Sequence, residues 1–246
     1  MNNVRIALVS GAAKGIGKAI SQRLIDDGFY IIAIDMDHEN GQKLTNEFGD
    51  EKLEFHLMDI CNSKQVAALF SQIITKYNRI DAVVNNAGII RDNMIWKMSE
   101  SDFDTVINVN LKGTWLMCRE ASIVMKQQNF GRIVNIASRA WLGNRGQSNY
   151  SASKAGVVAL SRVLALELGK YNISVNSVAP GLIDTPLTQK LEPDVLQKLI
   201  EAQPSRSMGL PEDVANAVSF LVSEKTRFVT GQTIYVDGGK SIGANM

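Results

Sequence analysis

Tyr150 and Lys154 lie four residues apart in Tyr150–Leu168, a stretch patterned as a helix, so their side chains share one face. A tyrosine with its ordinary pKa of about 10 is a poor base at neutral pH. A nearby ammonium favours the phenolate and lowers that pKa. Such a pair can exchange a proton with a hydroxyl or carbonyl, although the same spacing also occurs as a plain surface pair. Ser138 adds a third group. It follows the apolar run Arg132–Ala137, a predicted strand, where its hydroxyl could hold a substrate oxygen.

A second constellation lies near the N-terminus. Ser10-Gly11-Ala12-Ala13-Lys14-Gly15-Ile16-Gly17 follows the predicted strand Val4–Val9 and opens a helix marked by Ile16, Ile20 and Leu24. Glycines there let the backbone approach a pyrophosphate, and the helix start offers unpaired N–H groups. The alternative is an ordinary tight turn. No Gly-Lys-Ser/Thr follows, which disfavours a P-loop. Asp35 ends the next strand, Phe29–Ile34, 18 residues past Gly17. A carboxylate there can accept hydrogen bonds from an adenosine ribose and would repel a 2′-phosphate, so it favours NAD over NADP. Met36 follows it, and the Lys14 cation points the other way. An ordinary strand-end cap is the alternative role for Asp35.

These groups need a scaffold, and the rest of the chain supplies its rhythm. Strands are predicted at Leu53–Met58, Ala82–Val84, Ile173–Val178 and Thr233–Val236, in addition to those above. Helices are predicted at Asn40–Phe48, Val66–Tyr77, Asp102–Lys126, Val195–Glu201 and Glu212–Val222. Near-continuous apolar strands alternating with helices imply right-handed crossovers and a parallel sheet covered on both faces. The predicted fold is α/β, a doubly wound Rossmann domain spanning 1–246 with seven parallel strands. Residues 181–211 are the least regular and are expected to form a mobile substrate lid.

The chain has 246 residues, 45% hydrophobic and 21% charged, which excludes a disordered chain. Lys and Arg number 26 against 25 Asp and Glu, so there is no basic surplus for nucleic acid. No apolar run is long enough for a membrane span, and no signal-peptide layout opens the chain, so a cytoplasmic protein is expected. Cys61 and Cys118 have no metal-ligand spacing, no metal site is expected, and both read as core residues. His38 and His56 read as structural, and Trp96 as packed in the core or an interface.

In combination, the chain resembles the short-chain dehydrogenases/reductases along essentially its whole length. The resemblance rests on Gly11, Gly15 and Gly17; Asp59; Asn85-Asn86-Ala87-Gly88; Asn110; Ser138; Tyr150 with Lys154; and Pro180-Gly181. Ser10 stands where the family usually has threonine. The resemblance implies a site of Asn110, Ser138, Tyr150 and Lys154. Tyr150 would be the acid/base, Lys154 would bind the nicotinamide ribose and depress the Tyr150 pKa, Ser138 would polarise the carbonyl, and Asn110 would hold a water in a proton relay. Asp59 and Ile60 would flank the adenine, and Asn86 would lie near the ribose. Ile183 would fix the carboxamide through its backbone. Lys14, Ile16, Ala87, Gly88, Pro180 and Gly181 would complete the cofactor site. A homotetramer is implied, with the last strand and the helix of Tyr150 at interfaces.

Within the family the chain is most similar to bacterial 3-oxoacyl-ACP reductases, through Ala87–Asn93, Gly131-Arg132-Ile133, Ala179-Pro180-Gly181 and Val229-Thr230-Gly231. It departs from them at Asp35. It departs again at Asn129 and Tyr171, where members that dock acyl carrier protein tend to carry arginine. The Ser138–Tyr150 interval of 12 is also one residue shorter. The expected activity is NAD(H)-linked interconversion of a secondary alcohol and a ketone. The substrate would be a 3-hydroxyacyl/3-oxoacyl thioester or a small, cyclic or acyclic, alcohol. The alternatives are an NADPH-dependent 3-oxoacyl-ACP reductase and a cofactor-binding regulator without catalysis. Trp141 either walls an apolar substrate or packs at the surface. Arg139 and Arg145 either meet a CoA phosphate or carboxylate or are simply solvated.

Overall fold

The computed structural model describes residues 4–242. Seven strands, β1 (Arg5–Ser10), β2 (Phe29–Asp35), β3 (Leu53–Leu57), β4 (Ala82–Asn85), β5 (Gly131–Ile136), β6 (Ile173–Pro180) and β7 (Thr233–Val236), form one sheet in the order β3-β2-β1-β4-β5-β6-β7. Every pairing is parallel. The chain winds outward from β1 in one direction, then returns to place β4 on its other side. That reversal opens a crevice beyond the carboxyl ends of β1 and β4, where Ser10 pairs with Asn85.

The alternation of side chains along β1 builds two cores. Ala7 and Val9 face α1 (Gly15–Asp26) and α8 (Pro211–Val222), packing with Ile20, Leu24, Val214, Val218 and Leu221. Ile6 and Leu8 face the opposite layer, with Leu69, Phe70 and Ile73 of α3 (Ser63–Tyr77), and Met117, Ala121 and Met125 of α5 (Thr114–Gln128). At roughly 1.5–3 kcal/mol for each fully buried large aliphatic or aromatic side chain, both faces must be covered for the sheet to persist. The small helix α2 (His38–Phe48) is capped by Asp37, which accepts from the Asn40 N–H.

The expected single helix over Asp102–Lys126 is interrupted. α4 (Glu100–Ile107) passes into a π-helical turn, Asn108–Gly113, before α5 begins. The contacts that accompany it come from distant segments. The Asn110 side chain leaves the helix to bond the Ile89 backbone, and Gly113 lies where a Cβ would meet the Ile60 side chain. Periodicity does not reveal such a widened turn, which is often found at functional sites. α6 (Ser148–Leu168) and α7 (Pro193–Glu201) complete the helices.

Candidate active site

The glycine turn runs from β1 into α1. Gly11 has φ +65°, and a Cβ there would lie 2.8 Å from the Ala87 Cα. A Cβ on Gly17 would run into the Gly11 carbonyl. Two chain segments can therefore cross only because both positions lack side chains. Ser10 completes the crossing, its hydroxyl accepting from the N–H groups of Asn86 and Ala87, each at 3.2 Å. Asn86 Nδ2 donates to the Gly11 carbonyl at 2.9 Å. No side chain caps the first turn of α1 and no acidic residue lies in it, so its N–H groups and dipole favour an anion.

A cleft of about 380 Å³ opens above this crossing. It is lined by Gly11, Lys14, Gly15, Ile16, Asp35, Asp59, Ile60, Asn86, Ala87 and Gly88, among others, and on its outer side by Thr185 and Pro186. Asp35 Oδ2 accepts from the Ala13 N–H at 2.9 Å, and its Oδ1 accepts from the N–H groups of Met36 and Asp37. Asp35 thus holds the turn while still facing the cleft. The Lys14 ammonium pairs with Asp37 at 2.9 Å, and that contact with Asn40 keeps the Asp37 carboxyl well below the usual carboxylate range. The two carboxylates leave this end of the cleft with a net negative charge.

At the other end, Gly88 leads to the polar side chains. A Cβ on Gly88 would lie 3.2 Å from Asn110 Oδ1 and 3.5 Å from Lys154 Nζ. Asn110 is buried. It accepts from Ile89 N–H at 2.8 Å and donates to Ile89 O at 3.0 Å and to the Ser153 hydroxyl at 3.2 Å. Lys154 is buried too, donating to the Ile136 carbonyl at 2.7 Å, with Nζ 5.7 Å from the Tyr150 ring centroid. Ser138 directly follows β5 by two residues. Its Oγ accepts from Ala140 N–H at 3.1 Å, and the hydroxyl is near enough to Tyr150 to act on the phenol. The structure therefore brings Asn110, Ser138, Tyr150 and Lys154 to one edge of the cleft.

The Tyr150 phenol is raised above its ordinary pKa. Burial raises it most, the Ser138 hydroxyl lowers it, and the Asp92 carboxylate raises it further. Lys154 does not compensate, because burial pulls its own pKa down to about 8 and its ammonium is turned to Ile136. Sequence spacing places the pair on one face but does not convey how dry that face is.

Pro180 ends β6, and Gly181 follows it, with its N–H donating to Val236 O at 2.9 Å. Ile183 packs its side chain into the core beside α8 and pairs its backbone with Gly209. Asp92 was not singled out from sequence as a site residue. It accepts from Gln147 Nε2 at 2.7 Å, and Asn149 Nδ2 donates to Arg91 O at 2.8 Å, so the segment after β4 is tied to the start of α6. The only sequence signal was the run Ala87–Asn93 itself.

Some readings change. Trp96 is 70% exposed and is not a core residue. Cys118 is buried, but Cys61 is only half-buried, and burial pushes their thiols up to about 12 and about 11. His56 bonds Glu54 at 3.1 Å on the sheet edge. Among the described residues no cluster of His, Cys, Asp and Glu could hold a metal, and no helix is long and apolar enough to cross a membrane.

Residues 11–241 match a family model described as enoyl-(acyl carrier protein) reductase. The chain belongs to the short-chain dehydrogenase/reductase family. It is 44% identical over 240 residues to a (2S)-[(R)-hydroxy(phenyl)methyl]succinyl-CoA dehydrogenase subunit, BbsD, of Thauera aromatica, covering 97% of both chains. It is 41% identical to a 3-oxoacyl-[acyl-carrier-protein] reductase of Thermotoga maritima, covering 96% of this chain and 97% of that one. A crystal structure of levodione reductase superposes with a TM-score of 0.92 at 31% identity, over 98% of both chains. This short-chain dehydrogenase/reductase is an NAD(P)-dependent oxidoreductase acting on small-molecule or acyl substrates.

Proposed function

We propose that the enzyme interconverts a secondary alcohol and a ketone with NAD(H) as coenzyme, the whole chain acting as one unit. The substrate class is a 3-hydroxyacyl/3-oxoacyl thioester or a small, cyclic or acyclic, alcohol. The observation that carries this reading is the buried Lys154 with its Nζ 5.7 Å from the Tyr150 ring, at the edge of a cleft whose glycine crossing leaves room for a pyrophosphate. The coenzyme, when bound, supplies the hydride acceptor or donor.

The chain's residues do the rest. The uncapped start of α1 and the Gly11–Gly17 crossing receive the pyrophosphate. Asp35 accepts hydrogen bonds from the adenosine ribose and, with Asp37 matched against Lys14, repels a 2′-phosphate. Asp59 and Ile60 flank the adenine, and the Ile183 backbone meets the carboxamide. Lys154 donates to the nicotinamide ribose. Ser138 and Tyr150 hold the substrate oxygen, where negative charge develops during reduction. Tyr150 stays protonated at neutral pH, so it is ready to donate to a ketone oxygen. Asn110, wedged by the π turn, connects the Ser153–Tyr150 region to Ile89 and supports the water relay.

The names of the relatives fit a thioester substrate. One is a dehydrogenase of a CoA thioester that carries a hydroxy(phenyl)methyl group, and another is a reductase of 3-oxoacyl groups on a carrier protein. Exposed Phe103 on α4, Trp115 and Ile123 on α5, and Val163 and Leu166 on α6 support a homotetramer, as does the uncovered edge strand β7. Light scattering that returned a monomer at micromolar concentration would oppose that assembly. The activity is tested by initial rates on secondary alcohols and 3-oxoacyl thioesters, with NAD(H) and NADP(H) in parallel. The reading expects turnover with NAD(H) at least tenfold more efficient. A preference for NADPH on carrier-protein thioesters would replace it with the biosynthetic reductase.

A further inference from the structure

Two side chains hold the backbone of Tyr150 from either side. Asn149 Oδ1 accepts from the Tyr150 N–H at 2.7 Å, and the Ser153 hydroxyl donates to the Tyr150 carbonyl at 2.7 Å. Both residues are fully buried. Each also reaches back to the segment that follows β4. Asn149 Nδ2 donates to Arg91 O at 2.8 Å. Ser153 Oγ accepts from Asn110 Nδ2 at 3.2 Å, and Asn110 is paired with the Ile89 backbone through both Oδ1 and Nδ2. Gly88 and Ile89 line the coenzyme cleft, so the first turn of α6 is tied at two points to the segment that forms one of its walls.

The Ser153 tie runs through groups with nothing to spare. A serine hydroxyl has one proton. Here it goes to Tyr150 O, so Oγ can only accept from Asn110. The chain of bonds therefore has one direction, from amide N–H to hydroxyl to carbonyl, and bonds in series polarise one another in a dry interior. Asn110 spends its two Nδ2 protons on Ile89 O and Ser153 Oγ, and its Oδ1 on the Ile89 N–H. Packing brings the same two elements together. Gly156 lies three residues after Ser153 on the same face of α6, and a Cβ there would come within 2.8 Å of the Leu111 side chain on the π turn. Without the Ser153 hydroxyl, one buried Asn110 N–H loses its acceptor and the π turn loses its hold on α6.

We propose that Ser153 is a positioning residue for the reaction, acting through Asn110 to set the turn of α6 that carries Tyr150 against the coenzyme wall. The inference rests on the catalytic reading above and adds to it a residue that touches neither substrate nor coenzyme. A helix serine that merely returned its hydroxyl to a carbonyl one turn back would affect α6 alone, with no dependence on Asn110.

The test is a double-mutant cycle between Ser153 and Asn110, read in both kinetics and stability. Ser153→Ala removes the link, and Ser153→Cys keeps a side chain of similar shape with a weak donor and acceptor. Each should lower kcat for oxidation of a secondary alcohol about tenfold, while KM for NAD and its affinity by calorimetry stay within about threefold. In an Asn110→Ala background, Ser153→Ala should cost less than about threefold more in kcat, because the link is already cut. Urea midpoints of the same four proteins should be non-additive in the same sense. If Ser153→Ala does not fold, Ser153→Cys takes its place in the cycle. Wild-type kcat in Ser153→Cys, or a full further loss of about tenfold in the double variant, would overturn the proposal. A wild type that turns over no secondary alcohol or ketone would refute the catalytic reading instead. Non-additive midpoints would then leave the Asn110–Ser153–Tyr150 coupling standing, and additive ones would overturn it as well.

Discussion

The Lys154 ammonium lies 5.7 Å from the Tyr150 ring centroid and spends its hydrogen bond on the Ile136 carbonyl. Lys154 is buried near the end of β5, and Tyr150 is partly exposed beside it. The consequence is a pair in which burial has pulled the two pKa values the wrong way for a free phenolate. Tyr150 is raised, and Lys154 is lowered to about 8.

A stability prediction follows from Lys154. In the unfolded chain it holds its proton to near its ordinary pKa of 10.5, and in the folded chain only to about 8. Between those values the unfolded state binds more protons, so stability rises with pH across that window and is lowest below it. The shift corresponds to about 3 kcal/mol of penalty at neutral pH. Lys154→Met should remove this rise in urea melts between pH 8 and 10.5 and match or exceed wild-type stability at pH 7, while turnover is lost. A variant markedly less stable than wild type at pH 7, with the pH slope intact, would contradict this.

Asp92 offers a separate handle on the phenol. Its carboxylate raises the Tyr150 pKa while it is itself held by Gln147, three residues before Tyr150. Other charged groups around the start of α6 include Lys154, Arg139, Arg145 and the Arg91–Asp102 pair. Asp92→Asn keeps an acceptor for Gln147 but removes the charge. The acid limb of the pH profile for alcohol oxidation should move to lower pH, and maximal kcat should change less than tenfold. A loss of kcat with an unmoved profile would mean that Asp92 only braces the loop.

The coenzyme preference is tested at Asp35. Asp35→Ala removes the charge at the ribose end and also leaves the Ala13 N–H without its acceptor. The ratio of kcat/KM for NAD to that for NADP should fall at least tenfold, accompanied by a loss of about 1–2 kcal/mol in stability. An unchanged ratio would place coenzyme choice elsewhere.

Much of this architecture was readable from residues alone. The order of strands and helices follows from apolar runs and their periods, and the glycine turn is legible because no side chain fits the Gly11–Gly17 crossing. What stayed hidden depends on neighbours distant in sequence. The π turn at Asn110 goes with contacts to Ile89 and Ile60, and the raised phenol with burial and Asp92. Trp96 shows the converse: of the core and interface readings the sequence allows, its exposure on the single chain removes the core one.

The most direct test of the account is Tyr150→Phe, assayed by absorbance of the reduced nicotinamide on the best secondary alcohol, with coenzyme affinity measured by calorimetry. Removing one hydroxyl should lower kcat about 10²–10⁴-fold while NAD binding stays within threefold. Wild-type turnover in that variant would show that the proton passes through some other group.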